Sequence, residues 1–114
     1  MIFHILKREE WDEWEGRPLY EAPSLAECGF LHCAALGDLL EVSNCYYKNE
    51  PGMALLCIDA EKVGPEIKWE TSEHGVSYPH IHGPLNADAI VEVVDFPVDR
   101  DGKFKFPKAL EKYR

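Results

Sequence analysis

Met53-Ala54-Leu55-Leu56-Cys57-Ile58 is an unbroken apolar run, closed in front by Asn49-Glu50-Pro51-Gly52 and behind by Asp59. An apolar stretch of this length between turn residues predicts a central strand over 53–59, buried on both faces. The segments around it supply its neighbours. Ile2 to Leu6 is apolar and partly β-branched, a first strand. Residues 7–15 follow as a short helix with Trp11 and Trp14 on one face, and Gly16 ends it. Pro18-Leu19-Tyr20 is short and extended. Ser24 is a candidate N-cap, with Glu27 completing a capping box. A strand over 29–33 precedes the longest helix, 36–48, where Leu36, Leu40, Asn44 and Tyr47 recur at helical spacing. Downstream, Ile67-Lys68-Trp69-Glu70 alternates, with Ile67 and Trp69 on the half-buried face. Residues 71–77 form a loop and 89–96 a strong late strand. Asp99-Arg100-Asp101-Gly102 turns the chain into a hairpin through Phe104-Lys105-Phe106, and Pro107 opens a last helical turn. About seven strands and two real helices result, with strands grouped late. That order predicts an α+β fold rather than a doubly wound α/β sheet.

At 114 residues the chain is expected to be one domain, 1–114. Its 46% hydrophobic and 29% charged residues argue against disorder. Twelve basic against 21 acidic residues leave a net charge of -9, which excludes nonspecific nucleic-acid binding and docking on an anionic membrane. No stretch approaches the roughly 20 apolar residues of a spanning helix. The start, Met1-Ile2-Phe3-His4-Ile5-Leu6, has no basic n-region, so a cytoplasmic protein with reduced thiols is expected. Cys28, Cys33, Cys45 and Cys57 read as small buried thiols; the spacing of Cys28 and Cys33 suits zinc, but a strand would turn them to opposite faces.

Chemistry concentrates in two segments, Gly29-Phe30-Leu31-His32-Cys33 and Tyr78-Pro79-His80-Ile81-His82-Gly83-Pro84-Leu85. In an extended chain His80 and His82 share one side, a spacing compatible with metal ligation with His32 or His74. Pro79 and Pro84 cannot donate to a ladder, so this segment is expected at an edge or in a loop. His32 shares a face with Phe30 and reads either as a satisfied core histidine or as a donor aimed into a cleft. Glu70 beside Trp69 reads as a solvated strand end, a raised-pKa acid or a charge stabiliser. Trp69, Tyr46, Tyr47 and Tyr78 read as core, with one ring free to stack on a planar ligand. A phosphate loop, a Gly-x-Ser-x-Gly elbow and a His-Glu-x-x-His motif are all missing.

Several blocks match a known pattern in order: Ile2-Phe3-His4-Ile5, Trp11, Leu19-Tyr20-x-x-x-Ser24-Leu25, Gly29-Phe30-Leu31-His32-Cys33, Asn44-x-x-Tyr47, Leu55-Leu56-Cys57-Ile58-Asp59, Lys68-Trp69-Glu70 and Pro79-His80-Ile81-His82-Gly83-Pro84-Leu85. Over residues 2–106 the chain resembles the small, mostly bacterial "domain of unknown function 952" family, which is grouped with the ADP-ribosyltransferase-like fold. The resemblance implies a split β-sheet with two main helices around a cleft for NAD or a related nucleotide. It implies His32, His80 and Glu70 as catalytic residues, and Ser24, His32, Tyr47, Tyr78 and His80 as the nucleotide-binding set, with no metal. The group's usual catalytic glutamate lies later in the chain than Glu70, and Glu92 stands on the late strand. The family's common form of the last block has Tyr where this chain has His82. Two alternatives stand beside the transferase reading: a non-catalytic small-ligand module, and a zinc protein held by His80 and His82.

Overall fold

The computed structural model describes residues 1–114. The chain runs β1 (Ile2–Lys7), α1 (Arg8–Trp14), β2 (Leu19–Tyr20), α2 (Pro23–Cys28), β3 (Leu31–His32), β4 (Ala34–Ala35), α3 (Leu39–Tyr46), β5 (Met53–Ile58), β6 (Ile67–Thr71), β7 (Ser77–Ile81), β8 (Leu85–Asn86) and β9 (Ile90–Phe96). A 3-10 helix, Lys108–Tyr113, closes it. Every strand pairing is antiparallel, and the fold is α+β.

The apolar run occupies the interior of a four-stranded sheet ordered β4-β1-β5-β9. All six residues of β5 are buried, as are five of the six in β1. Alternation then divides the core in two. Ile2, Leu6, Ala54, Leu56 and Ile58 face Trp11, Tyr20, Leu31, Ile81 and Leu85. Phe3, Ile5, Met53, Leu55 and Cys57 face Leu39, Phe96, Phe104 and Leu110. Leu55 and Leu56 are both fully buried on opposite faces, each contributing about 1.5–3 kcal/mol relative to exposure. The first face carries α1 and a three-stranded sheet ordered β3-β7-β6; the second carries α3 and the C-terminal segment. A two-residue pair, β2-β8, completes the strands.

The chain passes between the two larger sheets within five residues. Leu31 and His32 pair with Ile81 and His80, whereas Ala34 and Ala35 pair with Phe3 and Ile2. The expected strand over 29–33 is thus shorter and ends in this crossing. Gly29 belongs to the helix before it, taking the left-handed φ of +85° that ends α2.

Other expectations need correction. Ser24 does not cap α2: Ala22 is the N-cap and Pro23 the first helical residue, its fixed φ starting the helix two positions early. The long helix over 36–48 divides into a 3-10 turn, Leu36–Asp38, and α3. β7 is the central strand of its sheet, not an edge. Pro79 is tolerated there because it lies opposite Cys33, just past the end of β3, where its carbonyl accepts the Cys33 N–H and no donor is required of it. Trp69 and Tyr46 are not core; 56% and 65% of their surface is exposed. Cys28 and Cys45 are exposed, and only Cys33 and Cys57 are buried. The hairpin through 104–106 reduces to one bridge, Val98 to Phe104. No helix is long and apolar enough to cross a membrane.

Candidate functional site

Two cavities, of about 440 and about 540 Å³, adjoin where the chain crosses between sheets, and His32, Tyr46 and Tyr47 belong to the walls of both. Ser24 lines the first, with His4, Glu10 and Tyr20. Glu70, Tyr78 and His80 line the second. The six residues singled out from the sequence therefore sit around this one concave region.

The β3–β7 register sets His32 directly across from His80. Their ring centroids lie 5.3 Å apart, edge to face. Phe30 packs beneath both, stacked on His80 at 4.1 Å and edge-on to His32 at 4.8 Å. These contacts hold the two imidazoles in place with little rotamer freedom. Burial, and then the neighbouring His80, lower the His32 pKa below 6.5, so His32 is neutral near pH 7.

Glu70 organises the second segment. Its Oε1 accepts from His80 Nδ1 at 2.9 Å and from His82 Nε2 at 2.8 Å. A neutral His80 must carry its hydrogen on Nδ1, which leaves Nε2 as a lone-pair nitrogen. The bonds from His82 and His80 hold the Glu70 carboxyl below its usual range. This overturns Glu70 as a raised-pKa acid, because the expected dry pocket beside Trp69 does not exist and 43% of the Glu70 side chain is exposed.

His80 and His82 do share one side of the chain, yet both direct a nitrogen to the same carboxylate oxygen. His74 lies exposed in the turn between β6 and β7, and no three His, Cys, Asp or Glu side chains converge as a metal-binding set. Cys28, at the end of α2, places its sulfur 3.8 Å from His32 Nε2. The Tyr47 and Tyr78 phenols are held above their ordinary pKa by burial first, then by Glu10 for Tyr47 and Asp38 for Tyr78. Both remain neutral donors at physiological pH.

Sequence reasoning missed the floor of the first cavity. His4 is 7% exposed within the buried strand β1. Its Nδ1 donates to the His32 carbonyl at 2.6 Å, and its Nε2 faces the Tyr20 hydroxyl at 3.4 Å. Tyr20 donates to Glu10 Oε1 at 3.2 Å. Burial is the main reason the His4 pKa falls to about 4. The available signal was an ionisable residue inside Ile2-Phe3-His4-Ile5-Leu6, a strand otherwise apolar throughout.

Comparison with known proteins places the chain among relatives with the same architecture. The crystal structure of protein CC0527 from Caulobacter crescentus matches with a TM-score of 0.83 at 28% identity, over 98% of this chain and 96% of that one. The solution NMR structure of CC0527 matches with a TM-score of 0.78 at 29% identity, over 99% and 95%. No curated protein matches. The model of the family described as "Protein of unknown function (DUF952)" matches residues 5–93, from the second half of β1 into β9 and across both histidine segments, and the chain belongs to that family.

Proposed function

We propose that the adjoining cavities bind NAD or a related nucleotide, and that His32, His80 and Glu70 act on its nicotinamide–ribose bond. The observation that carries this reading is the convergence of His32 and His80, 5.3 Å apart, at the wall common to both cavities. Each cavity falls within the roughly 300–1,000 Å³ of small-molecule sites, and two chambers suit a ligand of two linked nucleosides. The rings of Tyr46, Tyr47 and Tyr78 offer flat faces for a base. A neutral His32 can hydrogen-bond a ribose hydroxyl without the desolvation cost of a permanent charge. This is the reading that the resemblance implies, and the meeting of two sheets around the cleft supports it.

In the reaction, the ribosyl C1′–N bond breaks and its electron pair leaves with nicotinamide. Water or an acceptor hydroxyl attacks C1′, and its proton passes to His80 Nε2, the nitrogen that the Glu70 bond leaves free. The developing positive charge on the sugar is stabilised by the Glu70 carboxylate. Calorimetric titration with NAD and its fragments tests binding. His32→Ala and His80→Ala should weaken it, and absence of heat with the native protein would remove the proposal. One observation favours a second reading, binding without turnover: Glu70 Oε1 already carries both histidine bonds. Release of free nicotinamide on incubation with NAD separates the two.

A further inference from the structure

β6 is an open sheet edge. In the order β3-β7-β6 it has a neighbour on one side only. The Glu66 carbonyl accepts from the His82 N–H at 2.8 Å, and the Ser72 N–H donates to the Val76 carbonyl at 2.8 Å. By alternation, Lys68 and Glu70 turn their backbone groups toward β7, while Ile67, Trp69 and Thr71 direct an N–H and a C=O outward. Such a row is a template for another strand. Trp69, 56% exposed, lies at its middle.

The side chains of this strand are self-complementary. A two-fold axis through Trp69 sets two copies antiparallel, with Trp69 opposite Trp69 and Ile67 opposite Thr71, so that every outward N–H and C=O meets a partner. On the face that carries His80 and Tyr78, Lys68 of each copy then stands opposite Glu70 of the other. Neighbouring registers fail. An axis through Lys68 or Glu70 sets like charges face to face, and one through Ile67 sets Trp69 against Pro65, which has no N–H. Within one copy both charges have room for a further partner. Lys68 reaches only exposed Glu66, at 3.8 Å, and Glu70 takes both histidine bonds on Oε1, leaving Oε2 without a protein partner.

We infer that β6 docks against β6 of a second copy, joining two three-stranded sheets into one, and that Lys68 of the second copy pairs with Glu70 Oε2 beside His80 and His82. On the opposite face the two Trp69 rings cover each other. The charge match is what selects a second copy over an unlike strand. Strands this short bury little area, so the dimer is weak and reversible, with a Kd of roughly 10–100 µM. The inference does not depend on the nucleotide reading.

Sedimentation equilibrium from about 10 µM to about 1 mM tests it, and the native chain should pass from monomer to dimer across that range. Lys68→Glu, at an exposed side chain, sets glutamates opposite each other at both pairs and should weaken the dimer about tenfold or more. Glu70→Lys sets lysines opposite each other and should do the same. An equimolar mixture of the two variants places opposite charges at both pairs again and should restore the dimer. A native chain still monomeric at about 1 mM would overturn the inference and leave the edge to an unlike strand. So would a Lys68→Glu chain that dimerises like the native one, or two folded variants whose mixture stays monomeric. If circular dichroism shows Glu70→Lys unfolded, the native and Lys68→Glu chains decide the matter alone.

Discussion

His4 makes stability depend on pH in a defined window. In the fold its imidazole is buried and releases its proton at about 4, against 6.5 for the free side chain. Between those values the unfolded chain binds a proton that the folded chain refuses, so stability falls as pH falls. From about pH 7.5 to about pH 4.5, the two pKa values give a loss of about 2.5 kcal/mol from this one group. That is a large fraction of the roughly 5–15 kcal/mol that holds a typical domain together. Urea unfolding followed by tryptophan fluorescence at half-unit steps of pH measures it, with His4→Asn as the comparator. The asparagine amide can donate to the same His32 carbonyl and does not titrate. His32, whose pKa is also lowered, acts in the same direction but is present in both proteins. Glu70, Glu92 and Asp101, all held below their ordinary values, lose their contribution as pH falls below the carboxylate range, mostly beneath this window. The native protein should lose about 2.5 kcal/mol more than His4→Asn over the window. Parallel curves would refute the claim that burial holds His4 neutral.

Three further outcomes follow from the geometry. The Glu70 side-chain carboxyl carbon, followed by NMR, should titrate below the ordinary 4.5; a midpoint at or above 4.5 would contradict the bonds from His82 and His80. Leu56→Ala, at a fully buried position in β5, should cost about 2–5 kcal/mol in urea unfolding, and a cost under about 1 would mean the first core half is loosely packed. Asn44 accepts from the Phe104 N–H at 2.7 Å and donates to the Phe104 carbonyl at 3.2 Å, tying α3 to the C-terminal segment. Asn44→Ala should therefore destabilise by about 1–3 kcal/mol and speed amide exchange over 104–113, whereas unchanged exchange there would show the segment is held by Leu110 and Phe104 packing alone.

Much of the architecture is legible in local pattern. The run 53–58 announces a strand with two buried faces because every second side chain must find apolar cover, and both halves of the core supply it. Trp11 and Trp14, three apart on α1, both reach the Tyr20 ring edge-on, at 5.9 and 5.7 Å. Where the reading failed, a distant partner decided. Pro79 signals an edge strand on its own, and only the length of β3 frees a central position from the need for its N–H. Trp69 alternates with polar neighbours as a half-buried residue would, yet nothing packs over enough of its ring to bury it.

The candidate site divides in the same way. Residue type and spacing singled out His32, His80 and Glu70 as candidates, the resemblance added Ser24, Tyr47 and Tyr78, and two-residue spacing set His80 and His82 on one side of an extended chain. That His32 faces His80, that Glu70 captures both histidines, and that His4 turns from a core strand to meet the His32 carbonyl and the Tyr20 hydroxyl depend on register and on the crossing at Cys33. Periodicity follows from the backbone geometry of a few consecutive residues, so sequence carries it directly. Proton location and charge state depend on which groups arrive from elsewhere in the chain and on how much water they exclude, and those are properties of the folded molecule alone.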